Sequence, residues 1–171
     1  EIAEKNKQDK EHKKIRSKSG ITVKGIHDVS VRFSKCCSPV PGDEIIGFVT
    51  RGRGISIHRT DCVNILSMPE SDRARLMDAE WEEDAVTKNN GELYMTEVCL
   101  YAHNRTGILL DISKIFMELK VDIKSVSTRT SKQDLATIAI SFEISGIDEL
   151  NHIIKRLRNI ESVIDVERNA G

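Results

Sequence analysis

Aromatic side chains are scarce in this sequence: one Trp, two Tyr and four Phe, 4% of the chain. Modules that read single-stranded RNA stack bases on paired aromatics across a sheet face, and the strand-like runs here offer no such pair. Long apolar runs are missing as well. None approaches the roughly 20 residues that a membrane-spanning helix requires, and the first residues lack the apolar segment of a secretory signal. No membrane role is expected, and the cytosol is the expected compartment. A surplus of charge of one sign is also absent. With 26 Lys/Arg against 27 Asp/Glu the net charge is −1, so no global field draws the chain to nucleic acid. Nor is there a phosphate loop, a paired-carboxylate arrangement or a nucleophile beside a base, so the chain is expected to carry no catalysis of its own.

What remains is ordinary for globular protein: 39% hydrophobic and 31% charged residues in 171, room for one medium domain or two small ones. The chain begins with Glu rather than Met, which points to an excised fragment. Charge is unevenly spread. Residues 21–62 hold six basic against four acidic side chains, and residues 63–91 hold three against seven.

Residues 1–20 hold seven basic against four acidic groups and almost no large apolar side chains beyond Ile2 and Ile15, so they read as a charged linker or frayed helix. From Ile21 short β-branched runs punctuated by Gly and Pro predict a small β-rich domain over 21–82. The run EEDAVTKNNG, residues 82–91, marks a linker expected over 83–91. From 92 to 171 the periods predict β-α-β-β-α-β: VCLYA, a helix with Ile108, Ile112, Ile115, Phe116 and Leu119 on one stripe, VDIKSVSTRT, LATIAISFEI, a helix opening on a capping-box-like Ser145-x-x-Asp148, and SVIDVER. Right-handed crossovers fold that order into a four-stranded antiparallel sheet with both helices on one face, the ferredoxin-like arrangement. The expected class is α+β: a small cysteine-containing β-rich domain followed by a ferredoxin-like one.

Cys36, Cys37 and Cys62 cluster with His58 inside 27 residues, while Cys99 stands apart and reads as core. Thiols and imidazole suit zinc, and His-x-x-x-Cys sets two ligands on one side of a helical turn. Adjacent strand side chains point to opposite faces, so both Cys36 and Cys37 reach one ion only if Cys37-Ser38-Pro39 turns sharply. The alternative is a set of buried or free thiols beside a structural histidine. Asp61 is a conceivable substitute ligand. Arg51-Gly52-Arg53-Gly54, with Arg32, Lys35 and Arg59 near in sequence, either presents guanidinium groups to phosphates or is a solvated hairpin turn. His27-Asp28 carries little weight as a catalytic metal pair, because it lies in a β-like stretch without further histidines and carboxylates on helices. His103-Asn104-Arg105-Thr106-Gly107 runs straight into a helix, whose free N–H groups suit an anion such as an amino-acid carboxylate; otherwise these residues only make the turn.

The run SKCCSPVPGDEIIGFVTRGRGISIHRTDC, followed by the β-α-β-β-α-β unit around LYAHNRTGILLDIS, resembles the C-terminal regulatory half of the RelA/SpoT family over residues 21–171. That family makes, and in bifunctional members hydrolyses, (p)ppGpp. The resemblance implies a zinc-finger-like or conserved-cysteine domain with Cys36, Cys37, His58 and Cys62 as ligands, then an ACT domain. It implies ribosomal RNA and A-site tRNA as partners of Arg51, Arg53, Arg59, Lys35 and Arg32. It also implies an amino-acid ligand, a branched-chain one among the options, between Asn104, Arg105, Thr106 and Gly107 and the strand Ile123, Lys124, Ser125 and Val126, at a homodimer interface. Family members usually carry Asp where Asn104 stands, which removes a partner for a ligand ammonium. Two other readings stay open, an amino-acid-binding regulatory module of a metabolic enzyme and a zinc-binding adaptor.

Overall fold

The computed structural model describes residues 19–26, 30–87 and 91–169. The linker expected over 1–20 falls almost wholly outside the described residues, as does the His27-Asp28 pair.

The β-branched runs of the first half become five strands: β1 (Ile21–Val23), β2 (Val31–Phe33), β3 (Ile45–Val49), β4 (Ile55–Arg59) and β5 (Leu76–Trp81). They form one sheet in the order β1-β5-β3-β4-β2, antiparallel except where β2 runs parallel to β4. Alternation turns Ile21, Val23, Ile45, Ile55, Ile57 and Ala79 to one buried face. The opposite face carries a smaller cluster of Cys37, Cys62 and Ile65. β3 and β4 join in a tight hairpin closed by Thr50 N–H donating to the Gly54 carbonyl at 2.9 Å. Gly54 sits at φ +82°, where a Cβ would lie 2.1 Å from the Ser30 carbonyl oxygen, so this corner admits only glycine. Two short helices, α1 (Val63–Leu66) and α2 (Glu70–Arg73), lead into β5.

The segment expected as a linker over 83–91 instead opens with a helix, α3 (Glu83–Thr87). Its N–H groups at Ala85 and Val86 both donate to the Glu82 carbonyl, and Glu83 and Asp84 complement the positive end of the helix dipole.

The second half follows its periods closely: β6 (Tyr94–His103), α4 (Ile108–Glu118), β7 (Ile123–Thr130), β8 (Leu135–Ile144), α5 (Ile147–Arg158) and β9 (Val163–Arg168). The sheet is antiparallel throughout, in the order β7-β8-β6-β9. Every second residue of β8 from Ala136 to Ile144 is buried under α4 and α5, and Phe116 meets Phe142 edge-on with centroids 5.0 Å apart. The start of α5 differs from the expected capping box. Ser145 donates from both N–H and Oγ to Glu149, at 2.8 and 2.7 Å, rather than engaging Asp148. Cys99 is likewise not core: Val98 and Leu100 take the buried face of β6, and alternation sends Cys99 to the open one. No described helix is long and apolar enough to cross a membrane.

The two sheets share a seam. Val40, fully buried, belongs to the core of the second domain, and Phe33, Trp81 and Tyr94 form a trio with centroids 5.6–5.7 Å apart. Trp81 Nε1 donates to the Asp43 carbonyl and Ile147 N–H to the Pro41 carbonyl. A Cβ at Gly42 would stand 2.2 Å from Ile147 Cγ2, so the backbone approach here also depends on glycine. Arg168, on β9, holds both carboxylate oxygens of Asp43 at 2.7 and 2.9 Å, with side chains only 14% and 9% exposed.

Candidate functional sites

His58 reaches the cysteines because β4 alternates: Ile55, Ile57 and Arg59 point into the protein, Ser56 and His58 away from that core. Cys36 and Cys37 follow β2 in a turn closed by Ser38 N–H donating to the Ser34 carbonyl, and Ser38 takes φ +46°. The sharp turn that two adjacent ligands require is therefore present, stored in an uncommon left-handed serine. Cys62 sits at the N-cap of α1, one tight turn after β4, with its N–H on the Arg59 carbonyl. His58 and Cys62 thus do not share a helical turn; the β-branched run around His58 makes a strand instead.

The sulfurs of Cys36, Cys37 and Cys62 and a ring nitrogen of His58 all lie within 4.8 Å of one another. Cys36 Sγ stands 3.3 Å from His58 Nδ1 and 3.4 Å from Cys62 Sγ, and Cys37 Sγ 3.9 Å from His58 Nδ1. A tetrahedral Cys3His zinc site, with Zn–S of about 2.3 Å and Zn–N of about 2.0 Å, has ligand–ligand edges of about 3.5–3.8 Å. The donor set fits a metal ion in both chemistry and size. Ser56 Oγ lies 3.2 Å from His58 Nε2, which leaves Nδ1 to face the sulfurs. Asp61 is turned away from this set, clamped by Arg59 at 2.7 and 2.8 Å.

Burial pushes the Cys37 thiol up to about 12, only partly offset by the Arg59 backbone N–H, and burial also raises Cys62. Burial acts on Cys36 in the same sense, but hydrogen bonds from Ser34, Asn64 and the other two thiols outweigh it and hold Cys36 below its ordinary value. His58 is pushed down by burial and so favours the neutral, ligating form.

Of the five expected phosphate contacts, Arg51 and Arg53 project from the exposed β3–β4 hairpin, and Arg32 and Lys35 are exposed on and after β2. Arg59 is not with them. It is 6% exposed, and its guanidinium is spent on Asp61 and on the carbonyls of Cys37 and Asn169, so it ties the cysteine turn to the end of the second domain. A further pair belongs to this face. Arg75 lies over the Phe48 ring, 4.4 Å from its centroid, and register puts Arg32, Ser56 and Phe48 in one row beside His58. The alternation Ile45, Gly47, Val49 inward already turned Phe48 outward, so this position was readable.

The expected amino-acid site divides. Asn104–Gly107 follow β6 at one end of the sheet, where His103 faces Leu135. Ile123–Val126 open β7 at the other end, opposite Phe142 to Ile140 and, through β8, Thr96 to Val98. Five residues of strand, Cys99 to His103, separate the near ends of the two segments, about 20 Å at ordinary strand rise. They do not form one pocket within a single chain. The loop also satisfies itself: Arg105 donates to Asp111, to the Glu161 carbonyl and to Ser162 Oγ, and Asn104 Nδ2 to Asp134 at 3.2 Å. The open face of the sheet, with Ser125, Ser127, Thr137, Ala139 and Ser141, holds Tyr101 as its one aromatic among the described residues.

Comparison with known proteins places these parts. The RelA/SpoT RIS domain model matches residues 21–82 and an ACT domain model matches residues 90–168. A GTP pyrophosphokinase of Streptomyces coelicolor is 39% identical over 149 residues, covering 87% of this chain and 17% of that protein. A GTP pyrophosphokinase of Escherichia coli is 36% identical over 152 residues, covering 88% of this chain and 20% of that protein. The chain thus spans about a fifth of the length of these relatives. Among solved structures, the ACT domain from the GTP pyrophosphokinase of Chlorobium tepidum is 17% identical, covering 45% of this chain and 99% of that one at a TM-score of 0.41. With a RelA/SpoT RIS domain leading directly into an ACT domain, and GTP pyrophosphokinases as its relatives, the chain belongs to the RelA/SpoT family and carries the regulatory RIS–ACT pair.

Proposed function

We propose that this chain is the non-catalytic regulatory region of a cytosolic (p)ppGpp synthetase, whose RIS sheet face docks on ribosomal RNA and A-site tRNA and so controls catalytic domains elsewhere in the parent protein. The observation that carries the reading is one surface: Arg32 on β2 and the Arg75–Phe48 pair lie on the same face as the cysteine–histidine cluster, and the exposed Arg51 and Arg53 sit at the tip of the hairpin that carries His58. Guanidinium groups around a half-exposed aromatic suit phosphate and base together. Zinc held by Cys36, Cys37, His58 and Cys62 organises that face structurally, because four protein ligands leave no open position for chemistry.

The ACT domain contributes through a second copy. β7 is an edge strand exposed along seven of its eight residues, a ready surface for pairing with its counterpart. A branched-chain amino acid bridging Asn104–Gly107 and Ile123–Val126 needs that second copy, since one chain keeps the two segments apart.

The test is cosedimentation of the chain with ribosomes carrying deacylated tRNA, over a salt series. Arg51→Glu with Arg53→Glu weakens binding and flattens its salt dependence, each lost phosphate contact lowering the slope by about one. Unchanged binding by the double variant removes the RNA role from this hairpin.

A further inference from the structure

A cleft of about 830 Å³ lies between the two domains; it borders the turn that carries the cysteines, takes in Lys124 and Ser125 of β7, and lies apart from the loop before α4. One wall is the turn after β2, with Phe33, Lys35 and Pro39; the other is the start of β6, with Leu93, Met95 and Thr96. Its size falls within the range of small-molecule sites.

The polar groups of the lining are not equivalent. Glu92 already accepts from Tyr94 Oη at 3.2 Å, and Glu97 from Ser141 Oγ at 3.0 Å. Lys124 lies between Asp122 and Glu143, at 2.9 and 3.3 Å. Lys35 is exposed and makes no ion pair among the described residues.

We propose that this cleft binds a small amphipathic anion, a carboxylate or phosphate ester whose head lies at Lys35 and whose apolar body packs on Phe33, Leu93 and Met95. Such a ligand touches both domains at once, and Lys35 adjoins the ligand Cys36. The proposal stands apart from ribosome docking and is tested without ribosomes.

Trp81, the one tryptophan in the chain, stacks on Phe33 with centroids 5.6 Å apart and so reports on the cleft. The probes are 8-anilinonaphthalene-1-sulfonate and N-phenyl-1-naphthylamine, the same ring system without the sulfonate, titrated into the whole chain with Trp81 excited. The expected result is saturable one-to-one energy transfer to the sulfonate, at least tenfold weaker for the uncharged probe. Lys35→Glu removes that tenfold preference, and Ser125→Phe, which fills the cleft from an exposed strand position, weakens both probes. Equal affinity of the two probes for the unaltered chain, or sulfonate binding unchanged in both variants, overturns the proposal. Inorganic phosphate and acetate as competitors then separate a phosphate head from a carboxylate one.

Discussion

The RIS and ACT domains are of similar length and solve the problem of stability differently. The ACT domain buries a continuous apolar core between one sheet and two helices, with Leu100, Ile138, Ile140, Phe142, Leu150 and Leu157 fully enclosed. The RIS domain has six buried apolar residues on one face and only Cys37, Cys62 and Ile65 on the other. It makes up the shortfall with polar ties: the cysteine–histidine cluster, the Arg59 network and the Asp43–Arg168 pair at the seam. The ACT core rests on apolar area; the RIS domain adds polar ties and contacts with its neighbour to a smaller one.

Substitutions can break that contrast or sharpen it. The largest effect is expected from Phe142→Ala, which opens a cavity against Phe116 and costs about 3–5 kcal/mol by urea denaturation. Asp43→Ala follows. It leaves Arg168, whose Nε has no hydrogen-bond partner among the described residues, enclosed without the Asp43 carboxylate, and costs about 3 kcal/mol; it also splits one unfolding transition into two, because the RIS domain loses its support first. A single transition in that variant would contradict the dependence of one domain on the other.

Metal removal comes next. With zinc at 100 times its dissociation constant, a chelator lowers the stability of the RIS domain by about 2.7 kcal/mol, so that it unfolds in a transition of its own ahead of the ACT domain. In the metal-free chain the titrations set a window. His58 is depressed on folding, so the folded state resists its protonation, and stability is lost as pH falls below its unfolded value of 6.5. Cys37 and Cys62 are raised, so their contribution is present below pH 9 and lost as pH rises through the raised values, Cys37 at about 12; the depressed Cys36 offsets part of this. Maximal stability of the RIS transition between about pH 6.5 and 9 is the expected outcome, read by circular dichroism melting across pH. The smallest effect is expected from Arg156→Ala on the ACT surface. Its pair with Glu118 is more than a third exposed on both sides, and its loss shifts stability by under about 0.5 kcal/mol.

The ACT domain was nearly all legible in the sequence because each of its elements is long enough to show a period. β8 and α5 could be read residue by residue. Its errors were local ones: Glu149 caps where Asp148 was expected, and Cys99 was assigned by residue type when its parity with Glu97 and Tyr101 pointed outward. The RIS strands run three to six residues, too short for a period to fix their partners, and the parallel β2–β4 pairing left no local mark. The cluster was legible as chemistry, while its geometry depended on a strand at His58 and a left-handed Ser38. Arg59 shows the limit most clearly. It shares parity with Ile55 and Ile57 and so points inward, yet its positive charge suggested the surface; only its partners Cys37 and Asn169, far along the chain, explain how an arginine is kept inside.

Ten residues, Ser34–Asp43, carry Cys36 and Cys37 at one end and the attachment to β9 and α5 at the other. Tension applied to the C-terminal strand would therefore load the Arg168–Asp43 clamp and the Arg59–Asn169 contact before it stretches the ACT sheet. The sulfur cluster would feel a mechanical pull that the ACT core does not, and a moving partner gripping the end of the chain would act first on the thiols.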